Sequence, residues 1–272
     1  MTTPPKLTDT IQLARNRRRA TADAMFLQED AAAEIKDRLK EVNRRFTKPA
    51  VVTGFPDIWE NEFPGACIVP DDEVLDLAPG AHDLVIHGLC LHWANDPVGQ
   101  LVQARRALKP DGLFLGVLFG GQTLCELRAA LSEAEISLTG GLSPRILPMG
   151  EIRDLGGLLQ RAGFALPVAD SATRHVTYAD AMALMRDLRA MGEANALDQR
   201  QKRPAPRRLF QQAARLYADT FGTSEGRIPA TFETVFLTGW APDDSQQKPL
   251  RPGSATTRLA DALGTEETPL AD

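Results

Sequence analysis

The run His87-Gly88-Leu89-Cys90-Leu91-His92-Trp93 gathers side chains able to do chemistry. Imidazoles can move protons or ligate a metal. An indole can pack at a sheet edge or stack on a guest. A glycine lets a ligand approach the backbone. His87 and His92 have no third ligand near them in sequence, so no metal centre is expected. Arg145, in Gly140-Gly141-Leu142-Ser143-Pro144-Arg145, can grip a carboxylate or phosphate with both arms of its guanidinium, or sit as an ordinary surface arginine. Ser143 lacks the G-x-S-x-G elbow of a hydrolase, and no P-loop is present. No catalytic acid, base or nucleophile can be assigned.

These residues need a scaffold, and the stretch 82–121 supplies one. Leu84-Val85-Ile86 is a short apolar run, as in a strand covered on both faces. Asp96 and Pro97 mark a helix start. Leu101, Ala104, Ala107 and Leu108 form one apolar helical face. Lys109-Pro110-Asp111-Gly112 reads as a turn, and 113–119 as a second strand broken by Gly120-Gly121. That is a parallel βαβ unit with two interior neighbouring strands. Ligands of such sheets bind beyond the strand C-terminal ends, which here carry His87, Gly88, His92 and Trp93. Gly120-Gly121, ahead of a helix over 122–136, can present backbone donors to an anion or form a plain turn.

The order of these signals resembles the second half of a class I S-adenosylmethionine-dependent methyltransferase: a strand, then L-x-L-H-W-x-N-D, an amphipathic helix, K-P-D-G and a strand. FGGQTLCELRAAL, GGLSPR, DLGGLLQRAGF and MRDLRAMGEAN narrow the likeness. Together they resemble the methyltransferase-like assembly-factor family of respiratory complex I, relatives of the carrier-protein methyltransferases of the biotin pathway. The resemblance covers roughly 83–240. It implies a three-layer α/β sandwich with a mostly parallel sheet. It also implies S-adenosylmethionine as cofactor and a protein substrate or partner, such as a respiratory-complex subunit whose arginine is modified. Gly54, Asp71, Asp72, His87 and Gly88 fall at cofactor-binding positions, and Trp93 and Arg145 at substrate-binding ones. Asp71 matches an adenine-contacting position; as a sequence feature alone it reads equally as a turn acid or helix cap.

The chain departs from the family at its first strand. Ala50-Val51-Val52 fits that strand, but Val52 stands where an acid is expected. Gly54 is followed by Phe55 and Pro56 instead of a glycine loop. Phe55 is bulky and Pro56 has no N–H to donate. Cys67-Ile68-Val69, with Pro70-Asp71-Asp72-Glu73 after it, resembles the family's third strand and its acidic cluster. A whole βα unit is therefore shortened or missing, along with the acid that would hold the cofactor's ribose. Each lost charge-assisted hydrogen bond costs about 1.5–3 kcal/mol. Two such losses weaken binding by roughly two to four powers of ten.

Elsewhere the apolar spacing predicts helices over 8–20, 26–42, 149–162, 178–191 and 209–220. Strand-like segments are 164–168, 172–177 and 230–240, the last expected antiparallel at the sheet's closing edge. The arginines of 8–20 read as a solvated face or as a local contact with an anion. N-terminal helices cover the cofactor mouth in the proteins this chain resembles. The expected organisation is N-terminal helices over 1–47, a methyltransferase-like domain over 48–240 with a helical lid at about 178–221, and a mobile tail over 241–272 with one helical turn near 259–263.

A formal net charge of −5 gives no argument for nucleic-acid binding. Three cysteines without C-x-x-C spacing argue against a disulfide framework or structural zinc. No apolar run approaches membrane-spanning length, and the start is not a secretory signal, so a bacterial-type cytoplasmic protein is expected. Two functions follow: a cofactor-dependent methyltransferase-like enzyme, or a binding and assembly factor that keeps the fold and has lost the cofactor.

Overall fold

A computed structural model describes residues 6–247, 254 and 257–265. The chain divides into two compact units, Met1–Pro242 and Asp243–Asp272. The second contains a short helix, Leu259–Leu263, where a helical turn is expected. Much of the remaining expected mobile tail lies outside the described residues.

The first unit is organised on a six-stranded sheet. Its strands are β1 (Pro49–Thr53), β2 (Cys67–Val69), β3 (His82–Gly88), β4 (Leu108–Phe119), β5 (Ala165–Tyr178) and β6 (Ile228–Trp240). Their spatial order is β2-β1-β3-β4-β6-β5. β1 to β4 pair in parallel, with Val51 opposite Ile86 and Ile86 opposite Leu115. β6 is antiparallel to β4 and β5.

The helices are α1 (Thr10–Arg17), α2 (Phe26–Glu41), α3 (Pro56–Glu62), α4 (Pro97–Ala107), α5 (Cys125–Thr139), α6 (Ile152–Ala162), α7 (Ala181–Ala190) and α8 (Arg207–Phe221). Strand residues alternate between the faces of the sheet. Val51, Leu84, Ile86, Leu113, Leu115 and Val117 pack with the buried faces of α2, α5, α7 and α8. Ala50, Val52, Val85, Phe114 and Leu118 pack with α4 and α6. The result is the expected three-layer sandwich.

Local chemistry explains the boundaries. The Asp96 side chain accepts from the Gly99 N–H and Pro97 opens α4. Gly163, at φ 82°, closes α6 in the left-handed conformation that an L side chain adopts at a cost. In α8, Leu209, Ala213 and Tyr217 recur every fourth residue and are buried, which presents one apolar stripe to α5.

Two expectations need correction. β6 is not the closing edge: it lies between β4 and β5, and β5 forms the edge as one continuous strand. Lys109-Pro110-Asp111-Gly112 is not a free turn, because β4 already starts at Leu108. The tight bend survives as Asp111 at φ 56° beside a shift of register against β3. β2 pairs directly with β1, joined to it by the short α3, which agrees with the shortened N-terminal half expected from the sequence.

Candidate functional site

The strand ends of β1 and β3 form the cradle that the sequence points to, and the chain's own side chains fill it. α1 ends at Arg17. Leu13 and Arg17 are four apart and share the inward face of this helix. Arg17 Nη1 donates to Asp71 Oδ1 at 2.6 Å and Nη2 to Oδ2 at 2.9 Å. The two side chains are 13% and 12% exposed. The guanidinium lies against Gly54, where any added methyl would collide with it, and is 5.7 Å from the Phe55 ring centre. Burial would raise the Asp71 carboxyl, but the hydrogen bonds and charge of Arg17 outweigh it and hold the carboxyl below its ordinary value.

Gly88 is filled in the same way. A methyl on it would lie 2.5 Å from the Trp59 indole. Trp59, on α3, is fully buried, and its Nε1 donates to Gln28 Oε1 at 3.0 Å. His87 is fully buried as well. Its Nε2 is 2.9 Å from Gln100 Oε1, and its Nδ1 is 3.4 Å from Cys90 Sγ. Burial lowers the His87 pKa to about 4, so the ring is neutral at physiological pH. Burial and the Asp71 charge push the Cys90 thiol up, which makes it a poor nucleophile. Gln100 also donates to the main-chain carbonyls of Asp71 and Asp72, at 3.1 and 3.0 Å. Asp72 itself is exposed.

A separate apolar cavity of about 260 Å³ opens between α5, α7 and the 145–149 and 193–195 segments. Leu127, Met149, Met185 and Phe232 are among its apolar walls, and Trp93, Arg145, Arg189 and Glu193 are among its polar ones. Trp93 Nε1 donates to Glu193 Oε2 at 2.8 Å. The same oxygen is 3.5 Å from His92 Nε2, and both His92 ring nitrogens are buried without a hydrogen bond. Arg145 reaches Glu135 with two donors, at 2.9 and 2.6 Å. Ser143 Oγ donates to the same carboxylate at 2.6 Å. Hydrogen bonds from Arg145, ahead of those from Ser143, hold Glu135 near a pKa of about 2.

The expected site residues thus separate into two places. Trp93 and Arg145 share the cavity. Gly54, Asp71, His87 and Gly88 belong to the cradle, with Asp72 on its outer side. His87 is therefore not part of one cleft with Trp93 and Arg145, because its ring points into the packed interior between Gln100 and Cys90. Arg17, Trp59 and Glu193 are the important residues that sequence reasoning did not single out. For Arg17 the available signal was its spacing from Leu13 on an arginine-rich helix. In this arrangement the chain itself engages the groups that would face S-adenosylmethionine. Asp71 is already paired, and the room at Gly54 and Gly88 is taken by Arg17 and Trp59.

A methyltransferase-domain family model matches residues 57–116. The chain is 41% identical over 201 residues to "Arginine-hydroxylase NDUFAF5, mitochondrial" of Danio rerio, covering 74% of this chain and 62% of that protein. It is 35% identical over 262 residues to the protein of the same name from Homo sapiens, covering 87% and 76%. It is 36% identical over 184 residues to "Malonyl-[acyl-carrier protein] O-methyltransferase" of Xylella fastidiosa (strain M23), covering 68% and 59%. The chain thus spans less than two thirds of the Danio rerio relative. Among the described residues, no helix is long and apolar enough to cross a membrane.

Proposed function

This chain belongs to the family of the arginine-hydroxylase NDUFAF5 proteins, and from that premise we propose that it is a binding and assembly factor for a protein client. The client class is an arginine-bearing subunit of a respiratory complex. The observation that carries this reading is the placement of Glu193 beside the Trp93 indole in an otherwise mainly apolar cavity. An indole face attracts a guanidinium, and a carboxylate in a low-dielectric wall gives it a charge-assisted partner. Arg145 does not oppose this, since Glu135 neutralises it, and Arg189 is exposed, so solvent screens its charge.

The methyltransferase-domain match supports a second reading, cofactor-dependent modification of the same client. That reading requires Arg17 and Trp59 to leave the cradle. We propose a cytoplasmic location, whereas the two NDUFAF5 relatives are named as mitochondrial.

Glu193→Gln tests the client site while keeping an acceptor for Trp93. Loss of one charge-assisted contact is expected to weaken binding of an arginine-containing client peptide by roughly 10- to 150-fold. The melting temperature should change little, and assembled respiratory complex should fall in cells carrying the variant. Unchanged peptide binding together with normal complex assembly would overturn the proposal.

A further inference from the structure

We infer that the Gly54–Asp71 cradle is a guanidinium-binding site and that Arg17 is its resident ligand, supplied by α1. The recognition is geometric. A planar fork meets both oxygens of one carboxylate, at 2.6 and 2.9 Å, a match that an ammonium group cannot reproduce. Gly54 leaves the guanidinium its space, and the Phe55 ring stands beside it. Gln100 fixes the Asp71 loop through the Asp71 and Asp72 carbonyls.

The helix that delivers Arg17 does not depend on it for its place. Asn95 Oδ1 accepts from the Leu7 and Thr8 N–H groups. Asn16 Nδ2 donates to the Ala194 carbonyl at 2.8 Å, and the Asp9 N–H to the Ala196 carbonyl at 2.8 Å. Arg200 pairs with Asp9 at 2.9 Å, and Leu13 is buried. Truncating Arg17 therefore leaves α1 docked over a guanidinium-shaped vacancy facing a buried carboxylate. A small guanidinium cation fits that vacancy. A ligand that needs Asp71 enters the intact protein only by displacing Arg17.

The test is a thermal melt of the full chain carrying Arg17→Ala, titrated with methylguanidinium and, separately, with methylammonium. The variant is expected to melt roughly ten degrees below the unaltered protein. Millimolar methylguanidinium should recover a large part of that loss saturably. Methylammonium should recover none, and the unaltered protein should respond to neither. Equal recovery by both cations, or no saturable recovery, overturns the inference. If Arg17→Ala does not fold alone, refolding yield by circular dichroism with and without methylguanidinium gives the same decision. Neither readout uses the client, so this inference and the Glu193 proposal stand or fall separately.

Discussion

Replacing Asp71 with alanine is expected to lower the stability of the fold by about 3–5 kcal/mol, because it leaves the Arg17 charge buried without its counterion. The pair is too enclosed to behave like a surface salt bridge, which contributes about 0–1 kcal/mol. Chemical denaturation of the unaltered protein and Asp71→Ala measures the difference. A double variant, Arg17→Met with Asp71→Leu, removes both charges and is expected to be far less damaged than Asp71→Ala. The pH dependence has a definite sign. The folded Asp71 carboxyl lies below its ordinary value, so its contribution is complete above the unfolded value of about 3.9. It is lost as pH falls through the folded one. A loss below about 1 kcal/mol for Asp71→Ala would show the pair to be solvent-screened.

His87 gives the second large effect, also at acid pH. Its pKa is lowered to about 4 by burial, against an ordinary 6.5. The unfolded chain therefore binds a proton that the folded chain refuses, and stability rises with pH across that window. Above about 6.5 the neutral ring carries no penalty; as pH falls to about 4, roughly 3 kcal/mol is lost. His87→Asn removes the titration and retains a polar side chain beside Gln100. Its stability, measured by denaturation at several pH values, is expected to fall less between pH 6.5 and 4 than that of the unaltered protein. Parallel profiles for the two proteins would place the His87 ring in contact with solvent.

The part of the fold legible in sequence was the part encoded locally. The apolar run at Leu84–Ile86, the Asp96-Pro97 helix start and the apolar face of α4 specify the βαβ unit without distant information. The place of β6 was not local: alternation along 230–240 marks a strand but not its neighbours, and both of its partners lie far away in the chain. The candidate site divides in the same way. Gly54 and Gly88 stood out because their missing side chains invite close approach. What approaches them is Arg17 for Gly54 and Trp59 for Gly88, each from a helix earlier in the chain. Four arginines crowd residues 15–19, and the sequence offered a contact with an anion without saying which arginine made it. Trp93 and Glu193 are a hundred positions apart, so their pairing belongs to tertiary structure alone.

The chain's own side chains close the cradle of this methyltransferase fold. Calorimetric titration of the purified protein with S-adenosylmethionine and S-adenosylhomocysteine tests this most directly. Absence of the carboxylate and backbone donor that the resemblance implies at Val52 and Pro56 is expected to weaken binding by roughly two to four powers of ten, and displacement of Arg17 from Asp71 adds to that. The expected result is no saturable heat with either compound up to millimolar concentration. Saturable binding at micromolar concentration, persisting in the unaltered protein with Arg17 in place, would contradict the account.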